Sequence, residues 1–466
     1  MIKIGDVIAS GVADEGWGPM TEVAERVLVA FAGEGAGEGP LSWGQQDIWR
    51  AMVRQQSWIP NGAWGPLPDG TTLEDVQERL QYLMSRFPTA RTRLRFAGSG
   101  SPVQVVAAEG RVGLDVFDTG PGDDPAELAE RLRLKLQHDP YDFERDWPIR
   151  MAVVRHRGEL THLVVVMCHL VTDGFGAGVL LEELDKRPDT PVPDLQPLRQ
   201  AAWQASASGQ RQHAMTLRHW DAILREMPLR RYPPSRAPQS PRHWRGEFQS
   251  PALSTALRTI TARTGIPAAP VLLAVFAIAL ARVTGSDAPV VVRPMVNNRF
   301  RPGLDRVVCM LAQYGLCRLD VAGATFAEAF ERARRSAMST YKHAYYDPAA
   351  LDDLLERATA ERPGLQLPCY FNDRRDDAAL AGAPLKDLDD AEPGTFTWTT
   401  RQDVPFEPLI VHIDELPGAT QAIVFCDTHV IAPDDAEALL RGLETVALQA
   451  ARNPQAAAVN SSHVML

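Results

Sequence analysis

The residues best suited to chemistry in this chain lie at the end of one apolar run. Leu163-Val164-Val165-Val166-Met167-Cys168 is β-branched and continuous, the pattern of a buried strand. It ends in His169, and Asp173-Gly174 follow as a turn pair. Gly176, Gly178 and a leucine-rich stretch to Leu184 then read as a turn entering a helix. Imidazole is the side chain best matched to proton transfer near neutral pH. A histidine leaving a buried strand at a glycine-rich turn sits where active sites are often built. A histidine at a strand end is, however, more often a satisfied core side chain than a catalyst, so the reading needs support from the rest of the chain.

The elements that would position this turn belong to a long chain. Its 466 residues, 45% hydrophobic and 23% charged, suit a globular protein of two domains or lobes. Forty-eight basic against 59 acidic residues give a net charge of -11, and no basic stripe argues for nucleic acid. The arginines at 225, 230, 231, 236, 242 and 245 read as a solvated loop. Cys168, Cys309, Cys317, Cys369 and Cys426 are scattered, without a CxxC pair, so neither a zinc site nor a disulfide framework is indicated. Reduced, cytoplasmic residence is the simple expectation. Met1 to Val12 lacks a basic region followed by a long apolar core, the mark of a signal peptide. The apolar run from Ile266 to Ala281 contains Pro267 and Pro270 and stops at Arg282, which reads as a buried helix rather than a membrane span.

The pattern predicts an N-terminal extension over 1–40, ending in the glycine- and glutamate-rich Gly33 to Gly39. A first lobe follows over 41–187, a proline-rich linker over 188–197 and a second lobe over 198–466. Helices are expected at Leu41–Gln55 with Ser42 as cap, Leu73–Arg86, Pro125–Gln137, Leu198–Ser208, Met215–Arg225, Val271–Val283, Phe326–Lys342 and Asp434–Ala451. Strands are expected at Thr92–Phe96, Val103–Val106, Pro289–Val292, Gly315–Leu319, Cys369–Asn372, Leu409–Asp414 and Ala422–Asp427. Arg150–Val154 and Leu160–Cys168 read as a hairpin turning at Arg157-Gly158. The mixture is α/β, with no fixed repeat.

Several separated segments resemble, in order, the motifs of nonribosomal peptide synthetase condensation domains. Cys168 to Gly174 resembles their HHxxxDG signature. Leu41-Ser42-Trp43-Gly44-Gln45-Gln46-Asp47-Ile48-Trp49 is similar to their first motif, and Arg86 to Leu94 to RHxxLRTxF. Tyr141-Asp142-Phe143-Glu144-Arg145 resembles the segment before the histidine strand. Leu272 to Gly285, Val290-Val291-Val292, Asn298-Arg299 and Val308 to Arg318 resemble the second-lobe motifs, so the likeness runs from about Leu41 to Pro454.

The resemblance implies two chloramphenicol-acetyltransferase-like lobes in a V, with an active-site tunnel between them. It implies acyl transfer from a carrier-protein phosphopantetheine thioester to an amine or hydroxyl, with no metal or bound cofactor. His169 would be the base, and Asp173 would fix the turn by pairing with Arg91. Gly174 would let an N–H approach the developing oxyanion, and Gln313, Arg299 and Arg318 would face substrate. Cys168 replaces the family's first histidine, Phe87 replaces the histidine of RHxxLR, and Cys309, Leu311 and Gln313 replace Gly, Phe and Asn. Adjacent strand residues point to opposite faces, which argues against Cys168 as a nucleophile beside His169. No carrier-protein serine motif or adenylating signature is found, so the chain reads as a free-standing enzyme of specialised-metabolite (antibiotic) biosynthesis, working with carrier proteins in trans and with no membrane or nucleic-acid partner. Two alternatives stay open: an O-acyltransferase using a coenzyme A or polyketide thioester, and a catalytically silent recruitment domain.

Overall fold

The computed structural model describes residues 22–96, 101–120, 122–188, 190–375, 387–404 and 407–459. They fall into two compact α/β units. The first holds the chain up to Arg211 together with Asn297–Ala312, and the second holds Gln212–Val296 and the chain from Gln313 onward.

The first unit begins with β1 (Glu25–Ala32), β2 (Gly37–Pro40), α1 (Trp43–Gln55), β3 (Pro60–Pro66), α2 (Leu73–Arg86), β4 (Thr92–Arg95) and β5 (Val103–Val106). It continues through β6 (Glu109–Asp118), α3 (Pro125–His138), β7 (Ile149–His156), β8 (Glu159–Cys168), α4 (Gly174–Lys186) and α5 (Pro197–Ala205). Five strands form one sheet in the order β1-β6-β7-β8-β3, and β2-β5-β4 form a smaller one. In α2, the Thr72 hydroxyl accepts from the Asp75 amide and the Asp75 carboxylate accepts from the Thr72 amide, a capping box. Val76, Leu80 and Leu83 then recur on one buried face, and the helix stops ahead of Pro88.

The β7–β8 hairpin turns at Arg157 (φ 52°) and Gly158 (φ 88°), as the Arg-Gly pair predicts. β8 lies between β7 and β3, with helices covering both of its faces. Val164 packs with Leu128 and Leu132 of α3, and Leu163 packs with the cluster that includes Leu80 of α2 and Val179 of α4. Two-sided cover is why the second half of the strand, Leu163–Cys168, is apolar throughout rather than alternating.

The second unit contains α6 (Ala207–Glu226, of which residues 212 onward belong here), β9 (His243–Ser250), α7 (Pro251–Thr264), α8 (Ala268–Thr284), β10 (Val290–Val296), β11 (Gln313–Tyr314) and β12 (Cys317–Leu319). Then come α9 (Phe326–Lys342), α10 (Pro348–Glu361), β13 (Tyr370–Asp373), β14 (Thr395–Gln402), β15 (Leu409–Leu416), β16 (Ala419–Asp427) and α11 (Pro433–Arg452). The strands form one sheet in the order β11-β10-β13-β15-β16-β9-β14, with β12 also paired to β10. α8 is buried all round against α7, α9, α11 and the sheet, which accounts for its apolar run. Among the described residues no single helix is long and apolar enough to cross a membrane. α7 and α8 reach that length only as a pair bent by 119°.

Two expected boundaries differ from the structure. The extension over 1–40 contains β1 and β2, and β1 pairs along its whole length with β6, burying Val29 and Phe31. The alternation of ERVLVAFA carries that strand, and the glycine-rich stretch after it masked the signal. Residues 1–21 lie outside the described residues. The break between units falls at 211 rather than in 188–197, and Asn297–Ala312, expected in the second lobe, packs in the first unit. Val308 joins the α2–α4 core there, and Arg299 is bound by Asp173.

Candidate active site

His169 is the first residue past β8. Its Nδ1 lies 2.9 Å from the carbonyl oxygen of Thr172. A carbonyl can only accept, so Nδ1 carries the proton and the neutral ring keeps its lone pair on Nε2. The turn thus selects one tautomer and fixes the ring, and the half-buried imidazole becomes an oriented proton acceptor.

Asp173 holds the turn in shape. It is the N-cap of α4, where its Oδ1 accepts from the Gly176 amide at 2.9 Å. Its Oδ2 accepts from Arg299 Nη1 at 2.8 Å and from the amides of Leu311 and Ala312 at 2.9 and 3.0 Å. Arg299 also donates through Nη2 to the carbonyls of Val307 and Cys309, at 3.1 Å each. Asp173 and Arg299 are only 5% and 4% exposed. A buried pair this well bonded stabilises a particular geometry, and removing one partner leaves a buried charge at a cost of ~3–5 kcal/mol.

The expected partner of Asp173 was Arg91, and the structure corrects this. Arg91 is buried and donates to the carbonyls of Ala107 and Glu34, bracing the strap before β2, where burial lowers its pKa. The residue that meets Asp173 is Arg299, which was expected to face substrate and instead spends its guanidinium on buried acceptors.

Two glycines exchange importance. A Cβ on Gly174 would meet nothing within 4 Å, and its φ is not in the left-handed region. A Cβ on Gly176 would lie 2.2 Å from Thr172 Oγ1 and 2.7 Å from Arg299 Nη2. Gly176 is therefore the glycine the ion pair requires, and Gly174 is exposed with open space above it.

Cys168 points into a core with Leu41, Met52, Trp58 and Leu94, its Sγ 3.6 Å from the Trp58 carbonyl. Burial pushes its thiol up to about 12, which removes the thiolate a nucleophile needs. Gln313 and Arg318 lie in the second unit. The Gln313 amide is buried and bonds both ways to the backbone of Tyr346, at 3.1 and 3.3 Å. Arg318 is exposed, 3.6 Å from Glu226. Both therefore have structural partners of their own.

Sequence reasoning missed the role of the Thr172 carbonyl, and it named Gly176 and the segment from Val308 without their contacts to Arg299 and Asp173. Asn298 carries one readable signal. It is a non-glycine residue at φ 60°, a conformation asparagine tolerates, and its amide donates to the Leu311 carbonyl at 3.0 Å. Gly44 in α1 is another, since a Cβ there would sit 2.2 Å from the Met310 carbonyl oxygen.

Comparison with known proteins gives the family and the fold. Residues 45–374 match the condensation-domain family. Phosphinothricin tripeptide synthetase PhsC of Streptomyces viridochromogenes is 27% identical over 371 residues, which cover 74% of this chain and 33% of that protein. The chain spans 7%, 8% and 10% of three larger relatives, chondramide synthase and two surfactin synthase subunits. The condensation domain of the monacolin K polyketide synthase MokA superposes with a TM-score of 0.69 at 17% identity, over 91% of this chain and 99% of that one. A structure concerned with condensation-domain-mediated chain release from the enacyloxin polyketide synthase gives a TM-score of 0.67 at 20% identity, over 93% and 86%. The architecture is the two-lobed, chloramphenicol-acetyltransferase-like α/β fold of those structures, and the chain belongs to the condensation-domain family.

Proposed function

We propose that this chain is an acyltransferase that joins an acyl or aminoacyl group, presented as a carrier-protein phosphopantetheine thioester, to an amine or hydroxyl acceptor. The observation that carries this reading is the hydrogen bond from His169 Nδ1 to the Thr172 carbonyl, which leaves Nε2 as the proton acceptor. In the proposed reaction the acceptor nitrogen or oxygen attacks the thioester carbonyl while His169 takes its proton. A C–N or C–O bond forms, the C–S bond breaks, and the proton passes to the departing thiolate. General-base catalysis contributes about 10²–10⁴ in rate, so positioning of the two substrates supplies much of the rest. The Gly174 amide, in the open first turn of α4, is the proposed donor to the developing oxyanion, where the helix dipole favours negative charge. Asp173 acts on the reaction only through the geometry of the turn. A condensation domain of this fold mediates chain release from the enacyloxin polyketide synthase, which supports a chain-transferring role for the fold.

The test is intact-mass spectrometry of acyl-loaded carrier proteins incubated with the protein and mixed amine and alcohol acceptors, with His169→Ala as control. Acyl loss with a matching amide or ester, absent in the variant, supports the proposal. No transfer from any carrier, together with stable binding of a carrier or partner enzyme, would replace it with a recruitment role. Transfer from coenzyme A thioesters alone would move the donor class to coenzyme A.

A further inference from the structure

Phe175 is a large apolar side chain left half in water at the start of α4. It is the second residue of α4, two positions past Asp173, and 51% of it is exposed. The other aromatic side chains around the histidine strand sit in cores. Trp58 stacks on Tyr141 at 4.7 Å, Tyr141 meets Phe143 at 4.8 Å, and Phe143 meets Trp49 at 5.1 Å. Phe175 instead lies with its ring centroid 5.0 Å from the Arg299 guanidinium carbon. That contact steadies the ring against the buried ion pair. Beside it, Gly174 presents bare backbone with open space.

We infer that Phe175 is a specificity-determining residue, which packs against an apolar chain or aromatic ring of the substrate bound at the His169 turn. The inference rests on the acyl-transfer reading and names its substrate class: a group with an apolar body, not a small polar one. The physical ground is that a large apolar side chain held half in water, six residues past the proposed base, gains its full burial only when something apolar covers it. The Arg299 contact holds the ring in place, so little rotamer freedom is lost on binding.

The experiment measures equilibrium binding of non-transferable amide analogues, so it does not depend on catalysis. Octanoyl- and acetyl-pantetheine amides probe the donor, and hexylamine and ethanolamine probe the acceptor. In wild type the apolar member of at least one pair binds about tenfold or more tighter. Phe175→Ala lowers that preference about tenfold with an unchanged melting temperature, and Phe175→Trp keeps it. The pair that responds tells whether the apolar group belongs to donor or acceptor. The inference is overturned if wild type shows no preference in either pair, or if Phe175→Ala leaves the preference intact. Equal weakening of both members with a lower melting temperature also overturns it, because Phe175 would then only shield the ion pair. A Phe175-dependent preference in a protein that transfers no acyl group would sink the acyl-transfer reading and overturn the substrate-specificity role with it, leaving Phe175 only as an apolar ligand contact.

Discussion

The corner that joins β8 to α4 and the corner that joins β16 to α11 start from the same design. Each follows an antiparallel hairpin, carries a buried cysteine at its strand's last residue (Cys168 of β8) or last but one (Cys426 of β16), and turns into a helix that packs on its own sheet. Burial pushes both thiols, Cys168 and Cys426, up to about 12. They part at the next residue. The first corner has His169, whose ring is oriented by a backbone carbonyl, and closes on Asp173 as a helix cap. The second has Asp427, which takes two bonds from Arg242, at 2.8 and 2.6 Å, and one from the His429 amide, and it closes on Ala432, which offers no capping side chain. A strand–turn–helix corner is thus a structural unit that the fold uses twice. In the proposed reading chemistry belongs to the first corner alone, where the His169 ring is oriented by a carbonyl and the turn is held by buried bonds.

The comparison breaks first at the ion pairs. Asp173→Ala strands Arg299 in the core, and we expect a loss of ~3–5 kcal/mol in denaturant unfolding together with a collapse of acyl transfer. Asp427→Ala returns Arg242, whose side chain is 49% exposed, to water, and should cost no more than ~1–2 kcal/mol. Equal losses would erase the distinction between a buried hub and a surface clasp. Arg91→Ala should lower stability while leaving the Asp173–Arg299 coupling intact, as a double-mutant cycle would read it.

Glycine substitutions sharpen the picture within the first corner. Gly176→Ala drives a methyl into Thr172 and Arg299 and should cost ~1–3 kcal/mol by overpacking, whereas Gly174→Ala should change the melting temperature little. The reverse ranking would mean that the turn relaxes in a way the geometry does not provide for.

A pH effect follows from buried histidines, most of all in the second unit, with His162 of the first unit also lowered by burial. Burial lowers the pKa of His213 and His219, and burial with nearby Arg374 and Arg245 lowers that of His412 much further. His213 Nδ1 accepts from the Asp347 amide at 3.2 Å, and the His219 and His343 rings stack at 4.4 Å. Their folded pKa values lie below the unfolded value of about 6.5, so the unfolded chain binds protons first. Their contribution to stability is complete above about pH 6.5 and is lost as pH falls. Melting temperatures measured from pH 8 to pH 5 should therefore drop below about 6.5, and a flat profile would contradict this.

The smallest effect is expected at Cys168. Cys168→Ser keeps the volume and the Trp58 carbonyl as partner, so transfer should stay within a few-fold of wild type at a cost under ~2 kcal/mol. Complete loss of activity would return the thiol to consideration.

What the sequence made legible was local. α2 and α9 run over the residues that their periodicity predicts, and the Arg157-Gly158 turn sits where its chemistry requires. His169 and Asp173 could be found because strand end, turn and cap lie within a few residues. β9 and β14 were missed because HWRGEFQS and TFTWTTRQ are edge-side strands with one polar face and few aliphatic residues. Arg299 could not be paired with Asp173, because 126 residues separate them and nothing local to either marks the contact. The need for glycine at 176 comes from that same contact, so it was invisible for the same reason.

The most direct test of the central claim is a pair of variants, His169→Ala and Asp427→Ala, compared with wild type for single-turnover acyl transfer and thermal unfolding. His169→Ala should slow transfer by about 10²–10⁴ with an unchanged melting temperature, while Asp427→Ala should lower the melting temperature and leave transfer by the folded protein near wild type. Near-wild-type transfer by His169→Ala, or abolished transfer by a folded Asp427→Ala, would contradict that claim.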